Sequence, residues 1–137
     1  MTDRPAKMIP DPDGLNADFY QNLADGTLCM RHCEACGVVH HPPKYLCAAC
    51  GSDDVGWAPL SGRGKIFSWT VTHRPVDPAW AAELPYATVV VEMEEGPRLV
   101  GAWRGAGPSV LKLDLPVRAA LEKENDHVAL IYFSPDV

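Results

Sequence analysis

The sequence predicts a mainly β protein that joins a four-cysteine zinc ribbon to a small barrel. Three observations lead to this prediction. Two Cys-x-x-Cys pairs, Cys33–Cys36 and Cys47–Cys50, are separated by ten residues. A helical apolar stripe precedes them, and an alternating apolar and polar pattern begins after them at Lys65. We therefore expect an N-terminal amphipathic helix, a rubredoxin-like Cys₄ ribbon and a five-stranded OB-fold barrel, in that order.

Length and composition indicate an ordinary globular chain. It has 137 residues, of which 47% are apolar and 22% charged. No apolar run in the sequence approaches the roughly 20 residues of a membrane helix. The N-terminus has no basic segment followed by an apolar one, as a secretory signal would have. We expect a cytoplasmic protein without a membrane segment.

The first element is a short helix after a flexible lead-in. Residues 1–12 hold three prolines and several charges, which is typical of a mobile terminus. Asp13 or Asn16 can then cap a helix of about three turns, and Gly26 can end it. Its apolar positions are Leu15, Phe19, Tyr20 and Leu23. This stripe can pack on the body of the same chain or dock on a partner, and the sequence leaves both open.

The two cysteine pairs predict a closed metal site. Four thiolates at this spacing can occupy the corners of a tetrahedron around Zn²⁺. Gly37 and Gly51 follow the pairs and can adopt the positive φ of a tight knuckle. A fifth thiol, Cys29, and the absence of an export signal argue against two disulfides. Iron suits a tetrahedral S₄ site as well, but we favour zinc, in a structural role.

The remaining elements are strands. Lys65 to Thr72 alternates, which predicts that Phe67, Trp69 and Val71 share one face, with Trp69 in the core. The predicted strands are 28–32, 38–41 and 55–59 in the ribbon, and 65–72, 86–93, 98–103, 116–122 and 127–133 in the barrel. We divide the chain into lead-in and helix (1–27), ribbon (28–60) and barrel (61–137). An OB-type Greek-key barrel is the natural closure, and an open SH3-like barrel remains the alternative.

Several local motifs together point to a known family. They are the helix with Phe19-Tyr20, the segments 31–37, 41–43, 47–52 and 61–70, His73-Arg74-Pro75, Pro85-Tyr86 and the segment 95–98. In this order they resemble the zinc-ribbon/OB-fold family associated with acyl-CoA, known as domain of unknown function 35. The resemblance extends from about Asp18 to Phe133.

The resemblance implies an accessory subunit, in a hetero-oligomer with a thiolase-superfamily enzyme that acts on CoA thioesters. Thiolases, acyltransferases and steroid side-chain aldolases are such enzymes. The partner would supply the nucleophile or base, and this chain would help bind and position the acyl-CoA. Because the chain opens at the family's helix, we expect a separately encoded partner.

Candidate contact residues lie on or beside the helix, the turn-rich segment 61–64 and the long loop 73–85. We predict no catalytic residue in this chain. Arg63, Lys65 and Arg74 can pair with CoA phosphates. The plainer interpretation is a solvated surface charge for Arg63 and Lys65, and a loop held by local hydrogen bonds for Arg74. Loops on a rigid scaffold often hold binding groups, as His73 could. Aromatic residues are enriched at interfaces. The full set of acyl-CoA or partner contacts is Phe19, Tyr20, Arg63, Lys65, His73, Arg74, Trp80 and Tyr86.

Two rival functions remain. Zinc ribbons and OB barrels often bind single-stranded nucleic acid. The net charge of −6 and the scattered 12 Lys and Arg argue against that, so we expect no nucleic-acid partner. A stand-alone enzyme would need His73 or a carboxylate, since no hydrolase, metalloprotease or phosphate-loop motif is present. We further expect His40 and His41 at the surface, and Cys29 as a small buried apolar residue.

Overall fold

The structure, a computed structural model, describes residues 6–136. Residues 1–5 of the predicted lead-in and residue 137 lie outside the described residues. The elements in chain order are α1 (Gly14–Ala24), β1 (Cys29–Cys33), β2 (Val39–His40), β3 (Val55–Pro59), β4 (Arg63–Thr72), β5 (Tyr86–Met93), β6 (Arg98–Trp103), β7 (Pro116–Lys123) and β8 (Ala129–Pro135). Short 3-10 helices occupy Pro78–Glu83 and Pro108–Val110. In the described part of the chain, no helix is long and apolar enough to cross a membrane.

Helix α1 ends as its sequence predicts. Gly26 has a φ of 95°. Its N–H donates to the carbonyl of Leu23, and the N–H of Thr27 donates to the carbonyl of Asn22, both at 2.9 Å. These two bonds form a Schellman motif, which satisfies carbonyls at the helix end. At the other end Asp13 is the N-cap, but its side chain makes no capping hydrogen bond. The predicted side-chain cap is therefore wrong, although the helix begins where expected.

The ribbon is a three-stranded antiparallel sheet in the order β2-β1-β3. The β1–β3 pair is the longer one and extends from Cys29↔Pro59 to Cys33↔Val55. Strand β2 contributes only the pairs Arg31↔His40 and His32↔Val39. The third ribbon strand matches its prediction, the first is shifted by one residue, and the second is shorter by one residue at each end.

The second half closes into the predicted five-stranded OB barrel, in the order β4-β5-β6-β8-β7. All pairings are antiparallel except that of β6 with β8, which is parallel through Ala102↔Tyr132 and Trp103↔Phe133. Closure removes free sheet edges. The barrel is therefore closed and of the OB type, and the open SH3-like alternative is wrong.

A β-bulge in β4 corrects one prediction. The register with β5 shifts between Ile66 and Ser68, so Phe67 is left without a partner in the ladder. A bulge changes the side on which the next residues point. Ile66 is fully buried, whereas the ring of Phe67 is exposed and lies under the guanidinium of Arg98 at 3.6 Å. Phe67 therefore does not share the inner face with Trp69, which does pack against the core.

One apolar core extends through the helix, the ribbon and the barrel. Its fully buried side chains include Leu23 of α1, Met30 of β1 and Phe133 of β8. Gly101 makes room for this core, because a Cβ there would lie 2.7 Å from the ring of Phe133. The helix stripe therefore packs on its own chain through Phe19 and Leu23, while Tyr20 stays partly exposed. This shared core fixes α1 and the ribbon against the barrel.

Candidate metal centre and clefts

The four cysteines meet at one point of the ribbon. The Sγ atoms of Cys33, Cys36, Cys47 and Cys50 all lie within 4.8 Å of one another. The distance is 3.6 Å for Cys33 to Cys50, and also for Cys36 to Cys47. A closed set of four sulfur donors is the one that structural Zn²⁺ prefers. The residues present therefore fit the expected metal.

Two similar turns produce this arrangement. The N–H of Gly37 donates to the carbonyl of Cys33, and the N–H of Gly51 donates to the carbonyl of Cys47, both at 2.8 Å. The two glycines have φ values of 81° and 78°. L side chains rarely adopt that region, so glycine is the suitable residue after each pair.

The thiols also influence one another's ionisation. Backbone N–H groups, first that of Cys50 and then that of Ala49, lower the pKa of Cys47 to about 7. At Cys36 the backbone N–H of Val38 lowers the pKa, but desolvation and the neighbouring thiols together raise it to about 12. Metal binding needs all four groups as thiolates, so a cation at the centre of the cluster would favour their deprotonated forms.

The segment between the cysteine pairs also reaches the helix. The ring of His41 lies 4.8 Å from that of Phe19, and Phe19 lies 6.5 Å from Trp57 of β3. Both ring nitrogens of His40 and the Nδ1 atom of His41 are buried without a hydrogen-bond partner within residues 6–136. Desolvation lowers the pKa of both histidines. Both residues are half-buried, so the predicted surface position of this histidine pair is only partly correct.

A cleft of about 590 Å³ lies where helix, ribbon and barrel meet, and we call it the helix–ribbon cleft. Phe19 and Tyr20 contribute from α1, His41 and Pro42 from the ribbon, and Trp80 from the long loop. Its barrel side is formed by Arg98 to Ala102 of β6 and Leu130 to Tyr132 of β8. The lining is mainly apolar with a few polar groups, which is the usual character of a small-molecule site.

A second cleft of about 370 Å³, the aromatic cleft, lies beside the first and shares Trp80, Ala102 and Tyr132 with it. Trp80 and Tyr86 stack here with their ring centroids 5.0 Å apart. Lys7 closes one end, since its Nζ lies 4.4 Å from the Trp80 ring and 2.9 Å from Glu83. The end of the predicted flexible lead-in is therefore held against the loop.

Four of the eight predicted contact residues meet in these clefts. Phe19, Tyr20 and Trp80 line the helix–ribbon cleft, and Trp80 and Tyr86 line the aromatic cleft. The other four do not line either cleft: Arg63, Lys65, His73 and Arg74. Lys65 lies between two carboxylates, 3.7 Å from Glu92 and 3.7 Å from Asp114.

Cys29 is partly buried, and desolvation raises the pKa of its thiol.

Sequence reasoning missed three residues of this region. Arg31 is buried, lies 5.0 Å from the Trp57 ring and donates from Nε to the carbonyl of Lys44 at 3.2 Å. Arg104 pairs with Glu122 and stacks on Tyr132 at 3.6 Å. His41 is the third. No local pattern indicates Arg31, because buried positions do not alternate in β1 and the aromatic partner Trp57 is 26 residues away.

A helix followed by a four-cysteine ribbon and an OB barrel defines a class of protein. Comparison with known proteins places the chain in the same class. Residues 21–56 match the model described as "ChsH2, rubredoxin-like zinc ribbon domain", and residues 57–122 match "ChsH2, C-terminal OB-fold domain". The chain therefore belongs to the family of domain of unknown function 35 (DUF35), as its motifs predict.

Individual relatives give further detail. The solved structure titled "Ltp2-ChsH2(DUF35) aldolase" is 32% identical with a TM-score of 0.84, over 94% of this chain and all of that one. A "Probable enoyl-CoA hydratase alpha subunit" of Thermomonospora curvata is 33% identical over 136 residues. A "3-oxo-4,17-pregnadiene-20-carboxyl-CoA hydratase alpha subunit" of Mycobacterium tuberculosis is 36% identical over 109 residues. The chain spans 42% and 31% of the length of these two subunits.

Shorter relatives are similar as well. A "DUF35 domain-containing scaffold protein" of Methanocaldococcus jannaschii is 29% identical over 93 residues, 66% of this chain and 64% of that protein.

Proposed function

We propose that this chain is an accessory subunit of an enzyme that processes acyl-CoA thioesters. It binds a thiolase-fold partner in a hetero-oligomer and helps to position the acyl group, while the partner performs the chemistry. The observation that supports this most is the helix–ribbon cleft, which is large, mainly apolar and built from all three parts of the chain. Positioning of this kind reduces the entropic part of a reaction barrier.

The names of the relatives support the class of substrate. Two relatives are named as alpha subunits of hydratases that act on CoA thioesters, one of them steroid-derived, and a solved relative is titled as part of an aldolase. A subunit of this kind needs apolar surface for the acyl group more than it needs catalytic groups. The cleft offers that surface through the rings of Tyr20 and Trp80, which lie beside the buried ring of Phe19.

The pairing of positive charges favours this proposal over nucleic-acid binding. Within residues 6–136, six Lys and Arg side chains form ion pairs with carboxylates of the same chain: Lys7, Lys65, Arg98, Arg104, Arg118 and Lys123. Arg63 and Arg74 form no ion pair with the described residues, so we propose these two, rather than Lys65, for the phosphates of CoA. The partner would supply the other phosphate contacts.

In this proposal the four cysteines hold a structural Zn²⁺. The ion would fix the ribbon through four bonds. Because four thiolates complete its coordination, it would offer no open position to a substrate. Cys33, Cys36, Cys47 and Cys50 would be its ligands. The ribbon then keeps β1 against α1, and Trp57 of β3 near Phe19.

The test is binding with and without a partner. A thiolase-fold enzyme from the same genome is co-expressed with the tagged chain, and the purified complex is titrated with decanoyl-CoA by calorimetry. We expect a stable complex that binds decanoyl-CoA more tightly than either chain alone. Trp80→Ala should weaken assembly or binding, whereas Val76→Ala, at a residue 97% exposed, should not. A chain that stays apart from every thiolase-fold candidate and binds no CoA ester contradicts the proposal.

A further inference from the structure

The segment between the two cysteine pairs forms one wall of the helix–ribbon cleft. It starts after Cys36 and ends before Cys47, and its middle residues His41 and Pro42 line the cleft opposite β6. The same segment also holds the exposed side chains of Tyr45 and Leu46, which are 69% and 56% accessible and do not line the cleft. A loop that begins and ends at metal ligands therefore also shapes the proposed acyl site.

Few interactions other than the cysteine cluster hold this wall. Strand β2 pairs with β1 through only two residues. One side-chain hydrogen bond, from Arg31 to the carbonyl of Lys44, ties down the later part. Strand pairing this short is marginally stable by itself in water. The position of the wall must therefore depend strongly on the closure of the loop at its two ends.

Contacts continue from the wall into the helix. His41 packs on Phe19 of α1, and Phe19 is near Trp57, which in turn stacks with Arg31 of β1. Phe19 is 5% exposed, so its ring is part of the core and not of a loose surface. Any shift of His41 removes a packing partner from α1, since packed cores lose attraction as soon as a gap opens.

We propose that the metal held by the four cysteines sets the position of the His41–Pro42 wall, so that metal content controls binding at the helix–ribbon cleft. Loss of the metal would release the loop at both ends, move His41 away from Phe19 and open the cleft. The nature of the ligand, an acyl thioester, rests on the proposed function, whereas the control of the wall does not. The ribbon would then act on the binding site directly and not only on stability.

Hydrogen exchange tests the wall without any ligand. The zinc-loaded chain is compared with the same chain after chelation, by mass spectrometry of peptides that cover 38–46, 15–24 and the barrel strand 86–93. We expect exchange in 38–46 and in α1 to rise about tenfold or more, while 86–93 stays protected. Unchanged exchange in α1 would overturn the proposal, and so would uniform loss of protection in all three regions, which would indicate global unfolding.

A ligand experiment then uses variants that keep the metal. His41→Ala should retain one zinc per chain and bind decanoyl-CoA, in the complex with the partner, about tenfold more weakly than wild type. Tyr45→Ala is the matched control on the exposed side of the same loop, and its affinity should equal that of wild type. Equal affinity of His41→Ala and wild type would overturn the proposal. If no form binds decanoyl-CoA, the proposed function fails, and the exchange experiment alone decides whether the metal controls the wall.

Discussion

The imidazole ring of His41 lies against the phenyl ring of Phe19, with centroids 4.8 Å apart and planes inclined by 41°. This contact joins the loop between the metal ligands to the helix that covers the barrel. Both residues also line the helix–ribbon cleft, so a single contact connects stability, the metal ribbon and the proposed binding site.

Phe19→Ala should lower the free energy of unfolding by about 3–5 kcal/mol, because it leaves a cavity in the shared core. Urea unfolding followed by circular dichroism measures this. Phe19→Leu should lose clearly less, and Val76→Ala should change stability little, since Val76 is exposed. A loss below about 1 kcal/mol in Phe19→Ala would show that α1 does not pack as described.

Gly101→Ala should destabilise the barrel by about 1–3 kcal/mol. Its Cβ would lie 2.7 Å from the Phe133 ring and 3.1 Å from the carbonyl oxygen of Ile131, and neither neighbour can move freely. Gly56→Ala in β3 is the matched control, because its Cβ would make an ordinary contact at 3.6 Å. Equal midpoints of thermal unfolding for the two variants would contradict the packing of β6 on β8.

Stability should fall as the pH drops below about 6.5, because buried His41 resists protonation. Desolvation, with a smaller contribution from His40, lowers its pKa from 6.5 in the folded chain. The unfolded chain therefore takes up this proton first, and folding loses free energy as the pH falls from above 6.5 toward the lowered pKa. Urea midpoints at pH 7.5 and 5.5, with excess zinc, should differ more for wild type than for His41→Gln. The same difference in both would show that His41 does not contribute.

Cys36→Ser should reduce bound zinc and loosen the ribbon, whereas Cys29→Ser should bind one zinc per chain like wild type. Cys36 belongs to the sulfur cluster, and Cys29 lies outside it. Structural zinc contributes about 10–16 kcal/mol of apparent binding energy in zinc-finger peptides, so the loss of one ligand should be large. Metal analysis after gel filtration measures the content. Zinc loss in Cys29→Ser, with full zinc in Cys36→Ser, would contradict the assigned ligand set.

The sequence predicts the parts of this fold that depend on local patterns. The Schellman end at Gly26, the knuckles at Gly37 and Gly51, and the strands from Tyr86 and Arg98 all have a strong local signal, and the structure has them where expected. The number and length of the later strands indicate a small barrel, but they do not determine its closed strand order.

The remaining features depend on contacts between distant residues. The bulge that exposes Phe67 arises from the register of β4 against β5, which alternation alone does not reveal. His41 is packed because α1 lies over the ribbon, and no pattern near His41 indicates that. Tertiary packing of this kind decides which residues line a cleft, so only half of the predicted contact set meets there.

We propose that this chain acts as an accessory subunit of a thiolase-fold partner and does not convert substrate by itself. Gel filtration with light scattering, on the chain mixed with a thiolase-fold enzyme from the same genome, tests it most directly. We predict one co-eluting complex whose mass equals the sum of both subunits in a fixed ratio, and which binds decanoyl-CoA. Separate elution with every such candidate, together with turnover of a CoA thioester by the isolated chain, would contradict the claim.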